Sequence, residues 1–573
     1  MSKYSIPARP HLFLSVMSLY LLVAPTQPAA QTASERQLPT RAGNYRIAGT
    51  VVSKTDGHPL ARARITLRDA KAPQKFESLI TEEDGKFEFT GVPAGKYDLH
   101  GAKRGFISAS YDQHEQFSTA LVTGAGLETE SVVLRLAPAA IIAGKVLDEA
   151  GDPVRHATVT LYYDDHTSGV DQIRQARGAQ TDDQGAFEMA SLMPGTYFLS
   201  ANAKPWYATH PLSEPANSGS EPQAAPQLLD RPSLDRPSID RSLDVAYPVT
   251  YYPDVTDADS AAPIPIRGGE HLQVEIHLNP VPALHLLFRV PNNGNQGDIF
   301  PRLEQPAFDG STFLQADIVH TVSPGLVEIT GVPAGRYNVH FYGAGSGIQM
   351  NGVDLAKNGD EIDASAGEAL STVKVSVQLS GETALPPRLF IGLRSAHRSI
   401  MSGGQQVNDK GEAEFQQIPA GRYELLLFGS SRPYSILRIS AEGAEVSGHN
   451  ITVAPGSSPS VSLTLVGGSL NVEGTAKRGD KPFAGAMVVL VPKDPENNPD
   501  LFRRDQSDLD GTFSLRNVVP GSYTVLAIEN GWDLDWSQPA VIAAYLKHGR
   551  TIQIGSSPGR PMNLSQAVEV QSK

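Results

Sequence analysis

Apolar residues recur along this chain at a period of two, in short runs closed by glycine, proline and aspartate. Ala63-x-Ile65-x-Leu67, Ala157-x-Val159-x-Leu161 and Ala486-x-Val488-x-Leu490 each put three apolar side chains on one face of an extended segment. Each is preceded by a glycine-led strand (Gly49-x-Val51, Gly144-x-Val146, Gly474-x-Ala476) and a turn rich in Asp, Gly and Pro. Each is followed by a second alternating run, Phe87-x-Phe89, Phe187-x-Met189 or Phe513-x-Leu515. The pattern predicts paired hairpins that share one core. One stretch departs from it: Pro539–His548 carries Val541, Ala544 and Tyr545 at helical spacing before Gly549, and predicts a helix.

A single turn punctuates the whole chain. Val92-Pro93-Ala94-Gly95-Lys96-Tyr97 reappears around Pro194 and Tyr197, Pro333 and Tyr337, Pro419 and Tyr423, and Pro520 and Tyr523. The copies stand roughly 100 residues apart, one domain length, with one longer step. Proline fixes φ, glycine frees it, and the tyrosine can lay its ring on the core while its hydroxyl bonds back to the turn. The same alternation sends Tyr97, Tyr197, Tyr337, Tyr423 and Tyr523 inward, and Glu88, Glu188 and Glu328 toward solvent.

These repeats predict an all-β protein, a string of about five immunoglobulin-like or transthyretin-like β-sandwiches. The boundaries read as 44–138, 139–280, 281–380, 381–466 and 467–570, after a signal peptide over 1–30. That leader has Lys3 and Arg9 before the apolar run Leu12–Ala24, which is shorter than the ~20 residues a spanning helix needs. The third and fourth units show mainly their later halves, and their first strands are placed at Leu284–Val290 and Leu389–Leu393. Within the second unit, residues 204–246 are rich in proline, serine and alanine and repeat Leu229-Asp230-Arg231-Pro232-Ser233, which reads as a low-complexity insert.

This grammar resembles the carboxypeptidase regulatory-like domain, a small transthyretin-like (prealbumin-like) sandwich similar to Cna-B modules. Tyr247-Pro248-Val249-Thr250-Tyr251-Tyr252-Pro253-Asp254 through Gly268, and Trp536–Gly549 before Thr551-Ile552-Gln553, are similar to the tandem regulatory-like proteins of Acidobacteria. The resemblance implies an exported, non-catalytic array in the periplasm, at the cell surface or outside the cell.

Composition narrows the function. With no cysteine the chain holds no disulfide and no thiolate metal site, and a net charge of −14 without a basic block disfavours nucleic acid as a partner. None of the 15 histidines starts an H-x-x-E or H-E-x-x-H motif, so the zinc peptidase that the family name suggests is not expected. Gly555-Ser556-Ser557-Pro558-Gly559 matches G-x-S-x-G without a following helix, and Gly343-Ala344-Gly345-Ser346-Gly347 is a glycine loop without one. His271, Glu275 and His277 share a strand face and read as solvated. Asp508-x-Asp510-Gly511 reads as turn chemistry. No cofactor, catalytic residue or metal ligand is therefore assigned. Trp532, Asp533, Asp535 and Trp536 form the one candidate binding site, an aromatic platform with carboxylates for sugar hydroxyls, set against simple edge packing of the indoles. A polysaccharide or an envelope protein is the expected partner, and no segment after the signal is long enough to cross a membrane as a helix.

Overall fold

The computed structural model describes residues 44–124, 126–211, 240–290, 300–314, 318–342, 347–381, 384–395, 401–430, 434–468, 470–555 and 561–573. The leader, most of the insert, and most of the two glycine loops at 343–347 and 555–559 lie outside the described residues. Two-sheet sandwiches follow one another along the chain, and Pro539–Leu546 is the α-helix among the described residues.

The first strand of every sandwich takes the same place. Tyr45–Ser53 lies between Lys86–Val92, antiparallel, and Val132–Leu136, parallel. Ala140–Leu147 lies likewise between Ala186–Leu192 and His271–His277, and Leu284–Arg289 between Leu326–Val332 and Glu361–Asp363. Ser371–Leu379 has Glu412–Ile418 and Ser460–Gly467 as its neighbours, and Val472–Arg478 has Thr512–Leu515, Met562–Asn563 and Val568–Ser572. The parallel strand comes so close that a Cβ on Gly49 would sit 1.9 Å from the Val132 carbonyl oxygen, and one on Gly144 2.2 Å from that of Val274. This approach is the reason for the glycine that opens the strand.

The second sheet pairs the next strand with the one after the proline–glycine turn, as in Arg64–Asp69 with Gly95–Ala102 and Met487–Pro492 with Gly521–Glu529. Five separate apolar cores result, one per sandwich. The third sandwich ends earlier than the sequence suggests. Ser371–Leu379 belongs to the fourth, because its hydrogen bonds run to strands beyond residue 411, so Phe390–Ser395 is that sandwich's second strand rather than its first.

All five repeat tyrosines are buried. The hydroxyls of Tyr97, Tyr197, Tyr337 and Tyr423 donate to the carbonyl oxygens of Pro93, Met193, Pro333 and Pro419 at 3.1, 2.8, 2.8 and 2.8 Å. Tyr523 breaks the series: among the described residues its buried hydroxyl has no hydrogen-bond partner, and burial pushes its pKa up to about 12. Glu88 and Glu188 are exposed as expected, but Glu328 is completely buried. Its strand is flanked on both edges, and the imidazoles of His285 and His320 stand over its carboxylate, so the face that is solvated in the other sandwiches is covered here.

These corners differ in what a phenyl ring would lose. Tyr337→Phe should cost about 1 kcal/mol, the net worth of a buried hydrogen bond, whereas Tyr523→Phe should change stability by less than about 0.5 kcal/mol. Paired denaturation curves measure both; equal losses would show that the hydroxyl bond is not what distinguishes the corners.

Candidate functional site

The loop holding Trp532 and Trp536 follows Gly521–Glu529, and sequence alone decides part of its placement. In Met487–Pro492 every side chain is buried, because Val488 and Leu490 face the sandwich core while Met487, Val489 and Val491 face outward. That outer apolar face needs a cover, and Trp536, Phe502 and Ile542 of the helix supply it. Trp536 is 7 % exposed. Trp532 is half-buried, and its ring stacks on His114 of the first sandwich, with centroids 4.9 Å apart and planes 6° off parallel.

The proposed sugar platform is therefore not an open one. Its two indoles lie in a junction where the fifth sandwich closes onto the first and second, and the string of domains is a closed body. Asp533 pairs with Lys573, and Asp535 stands 3.9 Å from His166. The open indole is Trp206, 87 % exposed, whose neighbour Tyr207 donates a hydrogen bond to Glu149.

Arg504 is the centre of the junction. Its side chain is 3 % exposed, and it meets Glu115 of the first sandwich with two hydrogen bonds, 2.6 and 3.0 Å. It also donates to the Thr167 carbonyl of the second sandwich at 3.0 Å, and its guanidinium lies 4.1 Å from the Trp536 ring centroid. A planar cation that forks onto a carboxylate while stacking on an indole is a task lysine does not perform. Gly169 lets the second sandwich approach: its φ is +78°, and a Cβ there would fall 2.5 Å from the Trp536 ring.

Backbone and polar bonds extend the seam. The amide of Gln506 donates to the Asp112 carbonyl at 2.6 Å and to Thr119 at 2.7 Å. Asp508 accepts from the Ala120 amide at 3.0 Å and from Lys96 at 2.7 Å, and Leu509 packs against the first sandwich's core. The Asp508-x-Asp510-Gly511 turn is thus a docking element, which nothing in its local sequence signals. His277 of the solvated strand turns to Asp254 at 3.0 Å, away from Glu275 as a metal partner.

Carboxylates near this seam are shifted upward. Burial is the main cause at Asp505, pushed to about 6, and at Asp508 and Asp98, which move in the same direction. Between the fourth and fifth sandwiches a cleft is lined by Arg394, Glu424, His449, Arg503, Asp500 and Trp536, and burial holds the pKa of His449 down at about 4.

Taken with the five cores, this geometry defines a closed multidomain β-sandwich protein. Residues 46–128 and 141–214 match the model of the carboxypeptidase regulatory-like domain, so the first two sandwiches are similar to domains of that kind. Compared with curated proteins, it finds no match. Among solved structures it is similar to the TIE protein of Bacillus anthracis at 11 % identity, covering 74 % of each chain with a TM-score of 0.16. A minor pilin of Streptococcus agalactiae matches at 14 % identity over 42 % of this chain and 97 % of its own, TM-score 0.20. The full-length major pilin of Streptococcus pneumoniae matches at 9 % identity over 92 % and 99 %, TM-score 0.16. No residue correspondence is drawn from superpositions at this level.

Two outcomes are expected. Arg504→Ala should destabilise the junction by about 3 kcal/mol, because Glu115 is left partly buried without its partner. Two of the three tryptophans sit here, so indole fluorescence in a denaturant titration reads the opening, and small-angle scattering should show a larger radius of gyration. The second concerns pH. A carboxyl whose folded pKa lies near 6, above its unfolded value near 3.8, costs stability when ionised, and that cost is relieved as pH falls from about 6 to about 4. Asp505→Asn should therefore stabilise the protein by about 2 kcal/mol at pH 8 and have little effect at pH 4. A variant equally stable with wild type at pH 8 would contradict it.

Proposed function

We propose that the chain is an exported, non-catalytic scaffold or adhesion protein of the cell surface or periplasm, which presents its five sandwiches as one rigid body. The observation that carries this reading is the junction around Arg504, which spends buried charge on holding three domains in a fixed arrangement. Domains acting independently on linkers would need no such seam, since interfaces within one chain otherwise tend to be polar and mobile. Among the described residues no helix is long and apolar enough to cross a membrane.

A second reading, carbohydrate binding, is favoured by Trp206. An indole with 87 % of its surface open, edge-on to the ring of Tyr207, offers an aromatic face on which a pyranose ring can stack. Fractionation of cells followed by surface proteolysis tests the first reading, which expects the chain outside the cytoplasm and the Arg504→Ala variant to lose its envelope partner. Pull-down on cell-wall polysaccharide tests the second: Trp206→Ala should weaken retention about tenfold. Equal retention of both proteins, or none, removes sugar recognition at this residue.

A further inference from the structure

At the junction of the second and third sandwiches, three residues far apart in the chain are brought to one point by backbone pairing. Thr209 donates its N–H to the Leu243 carbonyl at 2.9 Å, and Ala283 donates to that of Asp244 at 2.9 Å. Val245–Ala246 forms a short antiparallel pair with Val281–Pro282. These bonds place His210, Asp244 and His285 together. His210 Nδ1 lies 2.9 Å from one Asp244 oxygen, and His285 Nε2 lies 2.8 Å from the other. All three donor atoms fall within 4.8 Å of one another. The side chains of His210, His285 and Asp244 are 4, 12 and 15 % exposed.

We propose that His210, Asp244 and His285 form a binding site for a divalent transition-metal ion of the zinc, cobalt or nickel class. Two imidazoles and one carboxylate are the donor set that such borderline ions select over calcium or magnesium. A tetrahedral ion about 2.05 Å from its ligands separates them by about 3.3 Å, so the two imidazole–carboxylate contacts of 2.9 and 2.8 Å need open by only about half an ångström, and the two imidazole nitrogens lie within 4.8 Å of each other. The ion's remaining position faces solvent or a further ligand. A cleft of about 550 Å³, lined by His210, Lys204, Val245 and Phe313, leads to the site.

The surroundings of His285 support the assignment. Its second nitrogen, Nδ1, points to Glu328, with Oε1 at 3.6 Å; the other oxygen of this fully buried carboxylate stands 3.3 Å from His320 Nδ1. Asp244 only accepts, so Nε2 donates to it in the metal-free site; an ion at Nε2 replaces that proton, and the proton on Nδ1 then faces the Glu328 carboxylate. The other three-residue cluster, His166, Asp171 and Asp535, is less suited: His166 Nε2 is held by the Leu534 carbonyl at 2.8 Å, and Asp171 is 70 % exposed. The bound ion would staple the two chain segments that flank residues 212–239 to the first strand of the third sandwich.

The test uses the mature chain, stripped with chelator, titrated with Zn2+ by calorimetry and with Co2+ by visible absorption. One ion per chain is expected, with the d–d bands of a low-coordinate nitrogen–oxygen cobalt site. His210→Ala and His285→Ala should each abolish that site, and Glu328→Gln should weaken it 10- to 100-fold. Asp171→Asn should leave it unchanged. Circular dichroism of the metal-free variants checks folding, and His210→Ala, outside any strand, serves if His285→Ala fails to fold. The proposal is overturned by the absence of stoichiometric binding, by a site that survives in the His210→Ala, His285→Ala double variant, or by loss of binding in Asp171→Asn alone. Variants that melt earlier while the wild type binds no ion would show the cluster to be a hydrogen-bonded latch.

Discussion

How the fifth sandwich stands to the first and second turns on the guanidinium of Arg504. It touches a carboxylate of the first sandwich, a carbonyl of the second and an indole of its own. A buried cation is costly to desolvate, and it is tolerated where each of its donors and its flat face has a partner. Both terminal nitrogens of Arg504 and its flat face find their partners only while all three domains are in register. Its geometry therefore specifies one arrangement of the array rather than merely adding to its stability.

Within each sandwich, a different constraint does the organising. The first strand is gripped on both sides, and the parallel neighbour approaches until only glycine fits at Gly49 and Gly144. The proline–glycine turn then starts the strand of the opposite sheet, and the tyrosine ties that start to the core. Alternation explains most of this, and so most of it was legible: the paired runs, the buried tyrosines, the helix over Pro539–Leu546. The start of the fourth sandwich was not, because Ser371–Leu379 alternates as well as any strand and period two does not say which sheet a strand joins.

The junctions were hidden for a related reason. Local sequence reports what a residue does within its own hairpin, and Asp508 looks like any turn aspartate until Lys96 and the Ala120 amide reach it from another domain. Glu328 alternates outward like Glu88 but meets two imidazoles instead of water. Trp532 and Trp536 were recognised as unusual, yet their environment depends on His114 and Arg504, which no periodicity links to them. The signal that could have been used was the two-sided apolar run Met487–Val491, whose outer face demanded a cover.

The pairing of Arg504 with Glu115 spans 389 positions of sequence. During synthesis the first sandwich can complete its own hairpins long before its partner exists, since its core is self-contained. Its loop carrying Asp112 and Glu115, both at positive φ, must wait in a conformation that only the last domain rewards. Closing the circle is thus the longest-range event the chain undergoes, and the entropy of loop closure places it at the end of the folding order. A nascent polypeptide that stops short of the fifth sandwich would be folded in every part and unfinished as a whole, its first domain still showing the socket for Leu509, a state that a quality-control protease could distinguish from the completed molecule.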